Sequence, residues 1–375
     1  MDNRELLKTA KRIVVKVGTS TLTHETGRLN LHRMETLVRE LSDLANQGKE
    51  IILVSSAAVA AGMDRLGLKE RPSSIPEKQA LAAIGQGILM HIYETLFAEY
   101  GQTAAQVLLT RENSVRHNQY INSRNALLAL LKMGAVPVIN ENDAIAVDEL
   151  KIGDNDTLSA IVAMICEADL LIILSDIEGL YTANPHEHPE AEVVHEVGEI
   201  TAEIEESAGG AGSKLGTGGM LTKLQAARIA MNAGVSMVIA KGDAGVIREV
   251  AGGGMRGTLF VAKKTHLHAR KSWLAFGRQP GGEVIVDAGC ARAIMDGGKS
   301  LLPAGIRQIK GDFQSGDTVS VVDEGGREIA RGIVNYSAAD LQRIRGMRTS
   351  ELALVMPEGR ICDEAIHRDS MVVMV

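Results

Sequence analysis

The chain is poor in cysteine and aromatic residues, carries no excess of positive charge, and has no long apolar run. Cys166, Cys290 and Cys362 lie far apart, form no CxxC pair and leave one odd. A disulfide framework or cysteine zinc site is therefore not expected, and a reducing compartment is. Lys and Arg number 40 against 47 Asp and Glu, a formal charge of −7. That excludes a polyanion-binding surface over the whole chain but leaves room for a local basic site. No uninterrupted apolar stretch approaches the roughly 18 residues of a bilayer span. Residues 1–11 are charged and lack the apolar segment of a signal peptide. Internal repeats and low-complexity tracts are also missing. With 375 residues, 45% of them apolar, the chain can fill ordinary cores and exceeds what one core usually holds. The expectation is a cytoplasmic, two-domain metabolic protein with no membrane partner.

Two periodicities alternate through the first two-thirds. Arg12-Ile-Val-Val-Lys-Val17 is a short apolar strand ending at Gly18. Leu31, Met34, Leu37, Val38, Leu41 and Leu44 then recur at helical spacing, and Gly48 stops the pattern as a C-terminal glycine does. Further strands are read at Ile51–Val54, Ala105–Leu109, Ala135–Ile139, Leu170–Leu174 and Val235–Ile239. Helices are read between them, from Pro76 to about Tyr100 and over 126–133, 158–166 and 220–233. Strands apolar throughout and separated by helices predict a mostly parallel sheet of about eight strands covered on both faces. Residues 1–262 form this α/β domain in the expected division, 263–280 a polar linker containing Trp273, and 281–375 a small β-rich domain of short strands and Gly-rich turns.

Ligands of open α/β sheets gather at strand C-termini, and four polar clusters follow apolar runs. In Lys16-Val-Gly-Thr-Ser20, period two puts Lys16 with Val14, opposite Ile13, Val15 and Val17. Lys16 could serve a phosphate there, or simply snorkel beside a turn. Ser55-Ser-Ala-Ala-Val-Ala-Ala-Gly62 leaves room for a ligand, or packs tightly as an Ala-rich helix start. Asn140-Glu-Asn-Asp143 and Gly153-Asp-Asn-Asp156, separated by a hairpin-like stretch, could hold an ammonium group or orient lysines; two solvated turns would read the same way. They lack the glycine and closing glutamate of a calcium loop. Gly216-Thr-Gly-Gly-Met-Leu-Thr-Lys223 opens a helix with backbone amides suited to phosphate and a lysine one turn in, after a mobile, lid-like Ser207–Ser213. It is neither a Walker loop nor GxGxxG.

Two lysines, glycine-rich anion sites and an acidic cluster together suggest phosphoryl transfer to a small zwitterion. The same clusters, with Ser175-Asp-x-x-Gly-Leu-Tyr-Thr182 and Pro137-Val-Ile-Asn-Glu-Asn-Asp143, stand in order along essentially the whole chain. They resemble the motif series of the glutamate 5-kinases, of the amino-acid-kinase superfamily, and the tail resembles a PUA domain. The resemblance implies a three-layer α/β/α sandwich and transfer of the ATP γ-phosphoryl group to the side-chain carboxylate of L-glutamate, the first step of proline synthesis. It places Lys16 and Lys223 on the transferring group with Asp156 holding both. It places Ser56, Asp143 and Asn155 on substrate, and Lys16, Ser175, Asp176, Thr217, Gly218, Gly219, Met220, Leu221, Thr222 and Lys223 on nucleotide, with Mg²⁺ on the ATP phosphates. Homo-oligomers and feedback inhibition by proline are common among such proteins.

Two positions depart from that pattern. Ala57 stands where glycine is usual, and a methyl group there could obstruct close ligand approach or a positive φ. Asn184 replaces the usual Asp before Pro185. Rival readings are a superfamily kinase acting on acetylglutamate, aspartate, carbamate or UMP, and an RNA-linked protein reading RNA through its tail. Residues 281–375 hold eleven Lys and Arg against fourteen Asp and Glu, with Phe313 and Tyr336 the only aromatics. That is a poor surface for RNA, and an inter-domain or regulatory role is expected instead.

Overall fold

The computed structural model describes residues 2–110, 117–145, 155–183, 185, 188, 190–208, 219–262, 280–347, 351–352, 355 and 362–374, the side chains of 117–121, 206–208 and 369 excepted. Outside them lie 263–279 of the expected linker with Trp273, the stretch 146–154 with Gly153 and Asp154, Asn184, and 209–218 with Gly216, Thr217 and Gly218.

The N-terminal sheet is built from β1 (Arg12–Val17), β2 (Glu50–Ser55), β3 (Thr103–Leu109), β4 (Ala135–Glu141), β5 (Leu170–Ser175), β6 (Glu196–Val197), β7 (Ser236–Lys241) and β8 (Thr258–Phe260). Their spatial order is β3-β4-β2-β1-β5-β7-β8-β6. Every pairing is parallel except that of β7 with β8. The helices between are α1 (Asn3–Leu7), α2 (Thr19–Leu22), α3 (Leu31–Asn46), α4 (Ala58–Leu66), α5 (Ile75–Glu99), α6 (His117–Lys132), α7 (Asn155–Ile165), α8 (Ala202–Ala208), α9 (Met220–Asn232) and α10 (Val246–Ala251).

Alternation along the strands sorts the two faces. Ile13, Val15 and Val17 of β1 and Leu170, Ile172 and Leu174 of β5 join one apolar core with α3, α5 and α10. The opposite face is covered by α7, which lies against β1, β2, β4 and β5, and by α9, which lies against α7 and β7. Lys16 is on that second face with Val14, as period two requires. Gly48 takes a φ of +86° just after α3, a left-handed turn that glycine adopts without penalty. Ser74 caps α5, accepting from the Glu77 N–H and donating to its carboxylate at 2.6 Å, with Pro76 in the first turn. Although α5 is long and apolar enough to cross a bilayer, it buries Leu81, Ala82, Leu89, Met90, Tyr93 and Phe97. Two helices start earlier than their apolar spacing predicts, at His117 and at Asn155, because their first turns are polar and hide the period.

The C-terminal unit has its own sheet and core. Strands β9 (Gly282–Val286), β10 (Ile306–Gly311), β11 (Thr318–Val322), β12 (Glu328–Ile333) and β13 (Met371–Val373) lie in the order β10-β9-β11-β12-β13. Helices α11 (Ala288–Met295) and α12 (Ala338–Ile344) contribute Ile294, Leu341 and Ile344 to its core. Phe313 and Tyr336 are both buried in that core, so neither presents a ring on which a base could stack.

Candidate active site

Five parallel strands deliver polar side chains to one edge. At or next to the C-termini of β4, β2, β1, β5 and β7 stand Asn140, Ser55, Lys16, Ser175 and Lys241. Register makes them neighbours: Val17 lies beside Ser55, Val54 beside Ile139, and Ser175 beside Lys241. The sequence therefore builds the site by ending apolar strands in lockstep.

Asp156, in the first turn of α7, is 1% exposed and receives two ammonium groups. Lys16 Nζ lies 2.5 Å from its Oδ1 and Lys223 Nζ 3.1 Å from its Oδ2. Lys223 reaches it from the first turn of α9, whose N-cap is Gly219, and both lysines are nearly buried. Thr222 Oγ1 adds a contact at 3.2 Å from Oδ2 while lying 2.8 Å from the Gly219 carbonyl. Burial alone would push the Asp156 carboxyl up, but the charges and contacts of Lys16 and Lys223 outweigh it and hold the group below the ordinary carboxylate value. Such a group carries no proton at neutral pH and is too weak a base to be tuned for abstraction, which favours a value near the working pH. It anchors charge.

Asn155, the preceding residue, begins the second half of the site. Its Nδ2 lies 2.9 Å from the Ser55 carbonyl, 2.8 Å from Ser56 Oγ and 3.0 Å from Asn140 Oδ1. Two hydrogens serve three acceptors, so one is shared. Asn140 is almost fully buried and accepts from the Glu141 N–H while its own Nδ2 donates to Gln86 Oε1 at 2.8 Å. Ser55 Oγ sits 2.8 Å from the buried Tyr93 hydroxyl, whose pKa burial drives up. Gln86 and Tyr93 both belong to α5, and only their contacts reveal them: in sequence they are an ordinary glutamine and a core tyrosine. Asp143 occupies the turn after β4, three residues beyond Asn140.

The loop from Ser55 into α4 is tightly backed. A Cβ at Gly85 of α5 would lie 1.8 Å from the Ala58 carbonyl, and one at Gly62 2.1 Å from that of Leu81. The two helices thus touch backbone to backbone, and the Ala-rich reading of this segment describes its packing while Ser55 and Ser56 face the polar cluster. Ala57 adopts φ +77°, ψ 12° at the N-cap of α4, the left-handed region where an L side chain costs about 1–2 kcal/mol. The glycine usual at this position would relieve that strain, at an entropic cost of about 0.4–1 kcal/mol in the unfolded chain. Ala57→Gly is expected to keep or raise kcat/KM with a melting temperature at or slightly above that of the parent. Enzyme assay and thermal unfolding check this, and a large activity loss would mean the methyl group, not the backbone, matters here.

Among the residues that the resemblance assigns to nucleotide, Ser175 is buried at the end of β5 and donates to Asp176 Oδ1 at 3.1 Å. Gly219, Met220, Leu221, Thr222 and Lys223 are described, with Leu221 exposed; Thr217 and Gly218 lie outside the described residues. Among the described residues no cluster of three His, Cys, Asp or Glu side chains could chelate a metal.

The amino acid kinase family profile matches residues 11–241, and the PUA domain profile matches residues 282–356. The chain is 53% identical to the glutamate 5-kinase of Moorella thermoacetica over 99% of its own length and 98% of that protein. It is 52% identical to the glutamate 5-kinase of Caldanaerobacter subterraneus over 97% of this chain and 98% of the relative. With the glutamate 5-kinase of Carboxydothermus hydrogenoformans it shares 51% over 99% of this chain and the full length of the other.

Proposed function

The chain belongs to the amino acid kinase family and, within it, to the glutamate 5-kinases, and from that premise we propose how its residues divide the work. ATP-dependent phosphorylation of L-glutamate, in proline synthesis, is the activity this membership carries. A γ-carboxylate oxygen of glutamate attacks the γ-phosphorus, the bond to the β-phosphate oxygen breaks, and ADP leaves with the electron pair. No proton moves, because a carboxyl with a pKa of about 4.3 is already ionised at neutral pH. The difficulty is bringing an anion to a polyphosphate, so positioning and positive charge must carry the catalysis.

The single observation behind this reading is one buried carboxylate, Asp156, holding two ammonium groups on its two oxygens. That arrangement fixes Lys16 and Lys223 at a common point, where they stabilise charge building on the equatorial oxygens. Asn155 and Asp156 are adjacent, so the glutamate cluster and the phosphoryl cluster are joined by one peptide. Ser56, Asn155 and Asp143 hold the amino acid, with Asp143 opposite its ammonium group. Thr217 and Gly218, Gly219 at the N-cap of α9 and its first turn to Lys223, with Ser175 and Asp176, hold the nucleotide. Mg²⁺ enters as part of the MgATP substrate, on its phosphate oxygens. Residues 1–262 serve as catalytic domain, 263–280 as linker and 281–375 as the PUA-like domain, a division supported by the profile limits and the two separate cores.

ATP- and Mg²⁺-dependent acyl phosphate formation, trapped as hydroxamate, tests the reading. Hydroxamate is expected with glutamate, and ADP release across acetylglutamate, aspartate, carbamate and UMP is expected to stay near background; preference for any of these acceptors would replace the reading. Asp143→Ala is expected to raise KM for glutamate by about tenfold or more while leaving KM for ATP alone, as loss of a charged hydrogen bond does. An unchanged KM would remove Asp143 from the substrate site.

A further inference from the structure

Outside the motif residues, one contact holds the donor end of a chain of amides that leads into the polar cluster. A side-chain amide presents a donor at one end and an acceptor at the other, so its function depends on which end faces the ligand. Gln86 Oε1 accepts from Asn140 Nδ2 at 2.8 Å while the Glu141 N–H donates to Asn140 Oδ1 at 2.9 Å, and together they turn Asn140 Oδ1 toward Asn155. Asn140 Oδ1 then accepts from Asn155 Nδ2 at 3.0 Å, which turns Asn155 Oδ1 to the other side. Asn155 Nδ2 is committed to protein acceptors, the Ser55 carbonyl and Ser56 Oγ among them. Its acceptor end is what remains for a substrate donor.

We propose that Gln86 of α5 is a positioning residue for the amino-acid substrate. Its Oε1 acts as an acceptor that, with the Glu141 N–H, holds the amide orientation of Asn140 and, with the Ser55 carbonyl, supports that of Asn155, so that Asn155 offers an oxygen to the substrate's ammonium group. The same helix fixes the other side of the cluster. Gly85 meets the Ala58 backbone and Tyr93 meets Ser55, so α5 carries consecutive supports of both serines and both asparagines. Without Gln86, Glu141 still holds the Asn140 oxygen but the nearly buried Asn140 N–H is left unsatisfied, which loosens the amide against Asn155 in a low-dielectric cluster. This inference rests on the glutamate reading above and adds a residue to it.

The role of an acceptor is separable from that of a packing group. Gln86→Met keeps the length of the side chain and removes the acceptor; Gln86→Glu keeps the acceptor and removes the donor. With the full chain, Gln86→Met is expected to raise KM for glutamate about tenfold or more, with KM for ATP little changed. Gln86→Glu is expected to return KM for glutamate to within about threefold of the parent, which a structural role served by the amide as a whole would not do. An unchanged KM for glutamate in Gln86→Met, or a Gln86→Glu variant as impaired as Gln86→Met, overturns the proposal. Should Gln86→Met not fold, Gln86→Lys, a donor without an acceptor, is compared with Gln86→Glu, and equal KM values then overturn it. The parent enzyme in the same hydroxamate assay separates the two levels: a parent inactive on glutamate defeats the glutamate reading and this inference with it, whereas an active parent alongside an unaffected Gln86→Met defeats the inference alone.

Discussion

Lys223→Ala is expected to lower kcat by roughly 10²–10³ or more, and Lys16→Ala by a similar factor, since each removes a preorganised charge from a site where water cannot replace it. Both ammonium groups are nearly buried, which strengthens their field on a transferring phosphoryl group relative to an exposed lysine. The losses should not add in the double variant if, as proposed, the two lysines serve the same phosphoryl oxygens, since they share one anchor in Asp156. Each single variant leaves Asp156 one cationic partner, so the fold should survive and kcat should fall without a matching rise in the KM for glutamate. Steady-state kinetics decide, and near-normal turnover in either variant would refute the proposed roles.

Asp156→Asn should damage both stability and turnover. Removing the charge leaves two nearly buried ammonium groups without their counter-ion, a situation that costs about 3–5 kcal/mol when a buried pair is broken. Turnover should fall with it, because neither Nζ is then held in place. The pH dependence has a definite sign. Burial raises the Asp156 pKa and the two lysines lower it further than that, so it is depressed in the folded chain. Its stabilising contribution is therefore complete above the unfolded value of about 3.9 and is lost as pH falls through the folded value. Urea unfolding of parent and variant should differ most near neutral pH, and the gap should narrow below about pH 4. Equal urea midpoints at pH 7 would show that the lysines do not depend on this carboxylate.

Much of this was legible in the sequence because the physics is local. Apolar strands separated by helices imply a covered parallel sheet, and period two along Arg12–Val17 already assigns Lys16 to the face opposite Val15. Gly48 and Pro76 mark helix ends by their own chemistry. Other features depend on partners far along the chain and leave no local trace. Gln86 meets a residue 54 positions away, and Tyr93 one 38 positions away. Arg4, in a polar first helix, is almost completely buried and donates to the carbonyls of His195, Gly254, Arg256 and Gly257, clasping the segments that lead into β6 and β8. The start of α7 was hidden for another reason: Asn155 and Asp156 are poor helix formers spent on the site, so the apolar period begins only at Leu158. At Ala57 the sequence raised either close ligand approach or a positive φ, and the backbone adopts the second.

The backbone contact of α4 with α5 also sets how this enzyme could be engineered for heat. Replacing helical glycine by alanine is a common stabilising step, worth about 0.5–1 kcal/mol where the added methyl group fits. At Gly62 and Gly85 it would drive the helices apart and carry the Ser56 loop with them. Gly87, one residue past Gln86, has open space around the place a methyl would take. Along α5 the sites open and closed to thermostabilisation therefore sit two residues apart, on either side of the glutamine that holds Asn140.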